Sequence, residues 1–138
     1  MTTNIQPILP GEPMPHRKVM REWLIPLAER TTALAIVMLV VDYVLWGALM
    51  AGTVLFESWW AKLLSGCAAG FVIGRLFILG HDACHQSLTP HRNLNKWLGR
   101  IAFLPSLTAY SLWDIGHNVV HHGYTNLKNF DFVWAPYT

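Results

Sequence analysis

"TTALAIVMLVVDYVLWGALMAGTVLF", residues 31–56, runs for 26 residues with one ionisable side chain, Asp42. A helix of that length reaches roughly 39 Å, whereas roughly 20 residues cross the hydrocarbon core of a bilayer. The run is expected to span a membrane and to tilt or extend into an interface. A second run, residues 63–80, is 18 residues long and interrupted by Arg75. Between them lies "FESWWAK", residues 56–62, whose Trp59 and Trp60 suit the membrane–water boundary. The expectation is a helical hairpin with transmembrane helices at about 31–56 and 63–80, forming the membrane part of the chain, 31–80.

The composition agrees. Of the 138 residues, 53% are hydrophobic and 13% charged, about half the roughly 25% charged of an average globular chain. A water-facing surface is hard to build from such a chain, so lipid is the expected solvent and the bilayer the expected partner. The net charge of +2 carries no signal for nucleic acid. Arg17, Lys18, Arg21 and Arg30 precede the first run, Arg92, Lys96, Arg100 and Lys128 follow the second, and Lys62 alone lies between. By the positive-inside rule the N-terminus and residues 81–138 are expected on the cytoplasmic side of a multi-pass integral membrane protein.

Residues 1–30 read as a cytosolic lead-in. No apolar h-region follows a basic start, so this is not a signal peptide. "PILPGEPMP" is extended, and "HRKVMREWLIPLAER" is a possible short interfacial helix with Val19, Trp23 and Leu27 on one face, limited by Pro26. Residues 101–113 are too short to span and contain Pro105, which suits an interfacial helix within 81–138. Cys67 and Cys84 imply no disulfide. Gly66, Gly70 and Gly74 give the second run a G-x-x-x-G face where a partner helix could approach. Asp42 is costly near mid-bilayer. Counting rises from the cytoplasmic ends puts it roughly 17 Å deep and Arg75 roughly 8 Å. A direct pair then needs helix offset, and a protonated Asp42 facing a neighbour, with Arg75 snorkelling outward, is the competing reading.

Five of the seven histidines fall in two clusters, "HDACH" at 81–85 and "HNVVHH" at 117–122. His16 and His91 read as surface residues. On an α-helix His81 and His85 share a face, as do His117 and His121, while His122 follows about 100° round. Neutral imidazole binds iron, zinc, copper and nickel. Five such ligands exceed one tetrahedral ion, so a two-metal site is the economical reading, with Asp82 and Asp114 as candidates to orient the rings. The cysteine or acidic general base of the usual zinc hydrolase motifs is missing. Unactivated C–H bonds in lipid need a strong oxidant, which iron and oxygen supply.

The two clusters resemble the first two histidine boxes, H-x3-4-H and H-x2-3-H-H, of the integral membrane fatty acid desaturases. Two spans before the first box, the segment "IAFLPSLTAYSLW" between the boxes and the tail "YTNLKNFDFVWAP" are also similar to that family, over residues 30–138. The resemblance implies an all-α fold and a di-iron centre whose ligands include His81, His85, His117, His121 and His122. It implies O2 as co-substrate, an acyl-lipid substrate and electrons from a ferredoxin or cytochrome b5-type donor. The family's third box and second pair of membrane helices do not occur here. The chain is therefore expected to be an N-terminal half that does not complete the centre by itself. A carotenoid ketolase or hydroxylase of the same plan, and a non-catalytic truncated membrane protein, are the alternatives.

Overall fold

A computed structural model describes residues 11–131 and 133, and among these all regular structure is helical. The chain divides into two units, Met1–Arg30 and Thr31–Thr138. In the first, helix α1 (Arg17–Leu24) is followed by a 3₁₀ turn, Ile25–Leu27. His16 caps α1, its Nδ1 accepting from the Lys18 amide at 3.3 Å. Pro26 sits where the α-helix tightens, because its ring removes a backbone donor and blocks further α-helical turns.

The second unit opens with α2 (Thr32–Leu55) and α3 (Trp59–Cys84), both long and apolar enough to cross a membrane. Their connection is shorter than expected from the sequence. Trp59, Trp60 and Lys62 already belong to α3, which continues beyond residue 80 to carry His81 in its last turn and His85 at its C-cap. The buried residues of α3 include Ser65, Ala69, Val72, Leu76, Leu79 and Ala83. That spacing, alternating four and three, is the stripe by which one helix packs along another. Ala35, Leu39 and Asp42 of α2 face it. The Ser65 hydroxyl donates to the Leu49 carbonyl at 2.8 Å, which fastens the closed end of the hairpin. The outer faces stay apolar and exposed, with Val44 at 67% and Phe71 at 79%, as a lipid-facing surface requires.

Asp42 and Arg75 do pair. The Arg75 Nη2 and Nε lie 2.9 and 3.0 Å from Asp42 Oδ1. The extra turn of α3 explains it: Asp42 is ten residues from the start of α2 and Arg75 nine from the end of α3. At 1.5 Å per residue these are about 15 and 14 Å, one level rather than two. The guanidinium remains half-exposed while the carboxylate is buried. The pair neutralises a charge that is expensive to leave alone at that depth.

Helix α4 (Arg92–Phe103) packs along the end of α3 through Leu98, Gly99, Ala102 and Phe103. The link after His85 is held by Asn95, whose side chain both accepts from the Thr89 amide at 2.8 Å and donates to its carbonyl at 2.9 Å. The Tyr43 hydroxyl donates to the Ile101 carbonyl and ties α2 to α4. Residues 101–113 are not one helix. They divide among the end of α4, a 3₁₀ turn at Leu104–Ser106 and the short α5 (Tyr110–Trp113). Pro105 ends the α-helical ladder, and Leu107 takes a left-handed conformation at φ 54°. Of the three glycines on the G-x-x-x-G face, Gly66 alone has a neighbour within 4 Å of its Cβ position, Thr53.

Gly80 is different, because a Cβ there would lie 2.5 Å from the ring of Phe103, which is fully buried. Gly80→Ala is expected to lower stability by about 1–3 kcal/mol through overpacking. Gly74→Ala, in open space on the same helix, is expected to leave it unchanged or raise it by up to about 1 kcal/mol. Reversible unfolding in detergent micelles measures both, and equal effects at the two sites would refute the packing account.

Candidate metal centre

The first box rides on the apolar hairpin of α2 and α3. His81 and His85 are one turn apart at the end of α3, and their Nε2 atoms stand 3.1 Å from each other. The second box is brought to them by an aromatic stack. Trp113, at the end of α5, lies edge-on to Phe77 of α3 at 4.7 Å and near Phe103 of α4 at 5.9 Å between centroids. It also stacks on His117, with centroids 4.8 Å apart and planes 15° apart, which sets the plane of that imidazole. Asn118 completes the junction by donating to the Cys84 carbonyl at 3.1 Å and to Asp114 at 2.6 Å.

The backbone of the second box is not α-helical. Asp114–His121 winds as a π-helix, and the His122 amide donates to the His117 carbonyl at 3.0 Å. In that winding the backbone hydrogen bond closes between residues five apart, which brings residue i+5 round to the side of residue i. His117 and His122 therefore share a side, with Nε2 atoms 3.3 Å apart. The expectation that His122 turns away from His117 is corrected accordingly, whereas His121 does stay beside His117, with ring centroids 5.4 Å apart. His117 also reaches across to the first box, its Nε2 3.0 Å from that of His81.

Four Nε2 atoms thus form a chain of short separations, 3.0 to 3.3 Å: His85, His81, His117 and His122. Nitrogen ligands about 2.1 Å from a metal stand about 3.0 Å apart at right angles and about 3.4 Å apart at the tetrahedral angle. The spacing fits the edges of one coordination shell. His81, His85 and His117 are close enough together to hold an ion, all three half-buried. Burial, reinforced by the neighbouring imidazoles, pushes the His117 pKa down to about 4 and lowers that of His85. Both rings are then neutral near pH 7, the form that binds metal.

His121, its ring 5.4 Å from that of His117 and 5.3 Å from that of His122 between centroids, has a further partner. Its Nδ1 is 2.8 Å from Oδ1 of Asp131, a carboxylate only 3% exposed. Asp131 also accepts from the amides of Asn126 at 2.8 Å and Val133 at 3.1 Å. The hydrogen bond with His121, helped by those amides, lowers the Asp131 pKa, so the group is a carboxylate near neutrality. Of the two acids singled out in the sequence, Asp82 lies 3.1 Å from His81 Nδ1, while Asp114 contacts Asn118 rather than a histidine. Asp131 escaped notice because it is ten residues from its partner, with no periodic relation to the box. Asn118 carried only the signal of lying inside it.

Against known proteins, the family model described as Fatty acid desaturase matches residues 57–138. The sn-1 oleoyl-lipid 12-desaturase of Arthrospira platensis is 40% identical over 49% of this chain and 19% of its own length. The endoplasmic reticulum omega-3 fatty acid desaturase of Vigna radiata is 30% identical over 94% of this chain and 34% of its own. The sn-1 acyl-lipid omega-3 desaturase (ferredoxin) of Synechocystis is 32% identical over 58% of this chain and 22% of its own. The chain thus spans about a fifth to a third of these relatives. No solved structure matches it significantly. The matched segment begins before the second apolar helix and takes in both histidine clusters, and on that match the chain belongs to the fatty acid desaturase family.

Proposed function

We propose that this chain supplies the first two histidine boxes of an acyl-lipid desaturase, which uses O2 to introduce a double bond into an acyl chain. The carrying observation is that His81, His85 and His117 lie close enough together to hold an ion, with His122 beside His117, at the end of an apolar helical hairpin. With iron bound, such a centre would supply the oxidant that an unactivated C–H bond requires. His81, His85, His117 and His122 would hold one ion through Nε2. His121, with Nδ1 engaged by Asp131, would offer Nε2 to a second ion. A di-iron centre takes more ligands than these five imidazoles, so the proposal includes donors from outside residues 81–122.

Asp82 and Asp131 would act on the rings rather than on the metal. Each faces an Nδ1, which leaves Nε2 to carry the ligating lone pair and fixes the orientation of the ring. Trp113 would hold the plane of His117. The basic residues flanking the hairpin support a cytoplasmic position for both boxes. The desaturases named among the relatives support an acyl-lipid substrate, and the Synechocystis one supports a ferredoxin as electron donor.

The open reading frame that contains this chain, expressed in a host with ferredoxin and its reductase, is expected to yield a lipid acyl chain with one new double bond. Gas chromatography with mass spectrometry of the membrane lipids provides the readout. An oxygenated product, or unchanged lipids with iron bound, would overturn the assignment. His117→Ala is expected to lower product by on the order of 100-fold or more, at least matching the loss of an outer-shell partner.

Asp131→Asn keeps the shape of the side chain and removes its charge. The expected result is metal binding weaker by about 10- to 100-fold, measured by competition titration with Co(II) in detergent. Affinity equal to that of the unaltered protein would mean that Asp131 serves the loop alone.

A further inference from the structure

We propose that α1 is an anchor for anionic lipid, docking on the charged face of a bilayer beside the first membrane helix. At 100° per residue its apolar side chains, Val19, Met20, Trp23 and Leu24, occupy one continuous arc, and Leu27 of the following turn extends it. The opposite arc carries Arg17, Lys18 and Arg21, with Glu22 as its one acid. Arg17 and Arg21 border the apolar arc on the side of Leu24. These two arginines also line a groove together with Met20, Leu24 and Ala28, so cationic and apolar groups face one concavity.

No residue of α1 is buried, and Leu24 and Leu27 are 60% and 71% exposed. A helix with so complete a division into two faces gains little in water and much at an interface, where one face enters the acyl boundary and the other stays with the headgroups. The chain itself brings that interface near. Four residues separate Leu27 from Thr32, the first residue of α2, so the two are five steps apart along the chain and at most about 18 Å from each other. Three cations against one acid select an anionic surface over a zwitterionic one. Trp23, half-buried on the apolar arc, suits the headgroup level.

Hydrogen–deuterium exchange of the full chain in nanodiscs tests this, with phosphatidylcholine alone compared with a mixture containing phosphatidylglycerol. Amides 18–27 are expected to exchange at least tenfold more slowly in the mixture. That difference is expected to vanish in the triple variant R17Q/K18Q/R21Q and in high salt, where screening removes the attraction. The amides of α2 and α3, protected in every sample, report that the hairpin is folded. Equal protection in both lipids would overturn the choice of an anionic partner. Rapid exchange in both would overturn docking itself.

Discussion

A peptide group left without a hydrogen bond in hydrocarbon costs several kcal/mol, so a chain that enters lipid must satisfy its backbone within each segment. That constraint turns residues 32–55 and 59–84 into two uninterrupted helices, and the second becomes the rod on which the remainder of its unit is assembled. Along one stripe α3 packs on α2, and near its end it receives α4 and α5. Its last turn and C-cap carry His81 and His85. The first box is therefore placed by the register of membrane packing rather than by any loop. Anything that shifts α3 along α2 moves two imidazoles with it, and the Asp42–Arg75 pair and the Ser65 hydrogen bond both resist such a shift.

The second box is placed by a different device. A π-helical segment lines up residues five apart, which turns His122 toward His117 and leaves His121 for Asp131. An α-helix through the same residues would turn His122 away from His117. Single-turn π segments are uncommon and tend to occur at functional sites. The side chains next to it hold this one: Trp113 wedged among Phe77, Phe103 and His117, and Asn118 bound to the end of α3.

Charge is used sparingly in a chain this apolar, and each buried charge has a partner. Asp42 is paired with a guanidinium, and Asp131 accepts from one imidazole and two amides. Hydrogen bonds from the His121 ring and two amides favour the charged form of Asp131. Around the imidazoles the opposite balance holds. Burial and mutual repulsion keep His85 and His117 uncharged, which is the state a metal ligand needs.

Local and periodic properties were legible in the chain itself. Run length and the scarcity of charge announced two helices apolar enough to cross a membrane, and four-residue spacing announced that His81 and His85 share a face. The two boxes together pointed to the desaturase family. Packing depth was another matter, because both faces of each membrane helix are apolar and hydropathy does not tell the buried stripe from the lipid-facing one. That Asp42 stands level with Arg75 depended on how α3 packs along α2. That His122 joins His117 depended on a winding that no residue spacing dictates, and the pairing of His121 with Asp131 on a loop closing across ten residues. Hydrophobic period and ligand type are properties of neighbours in the chain, whereas convergence at one point in space is decided by how the helices pack.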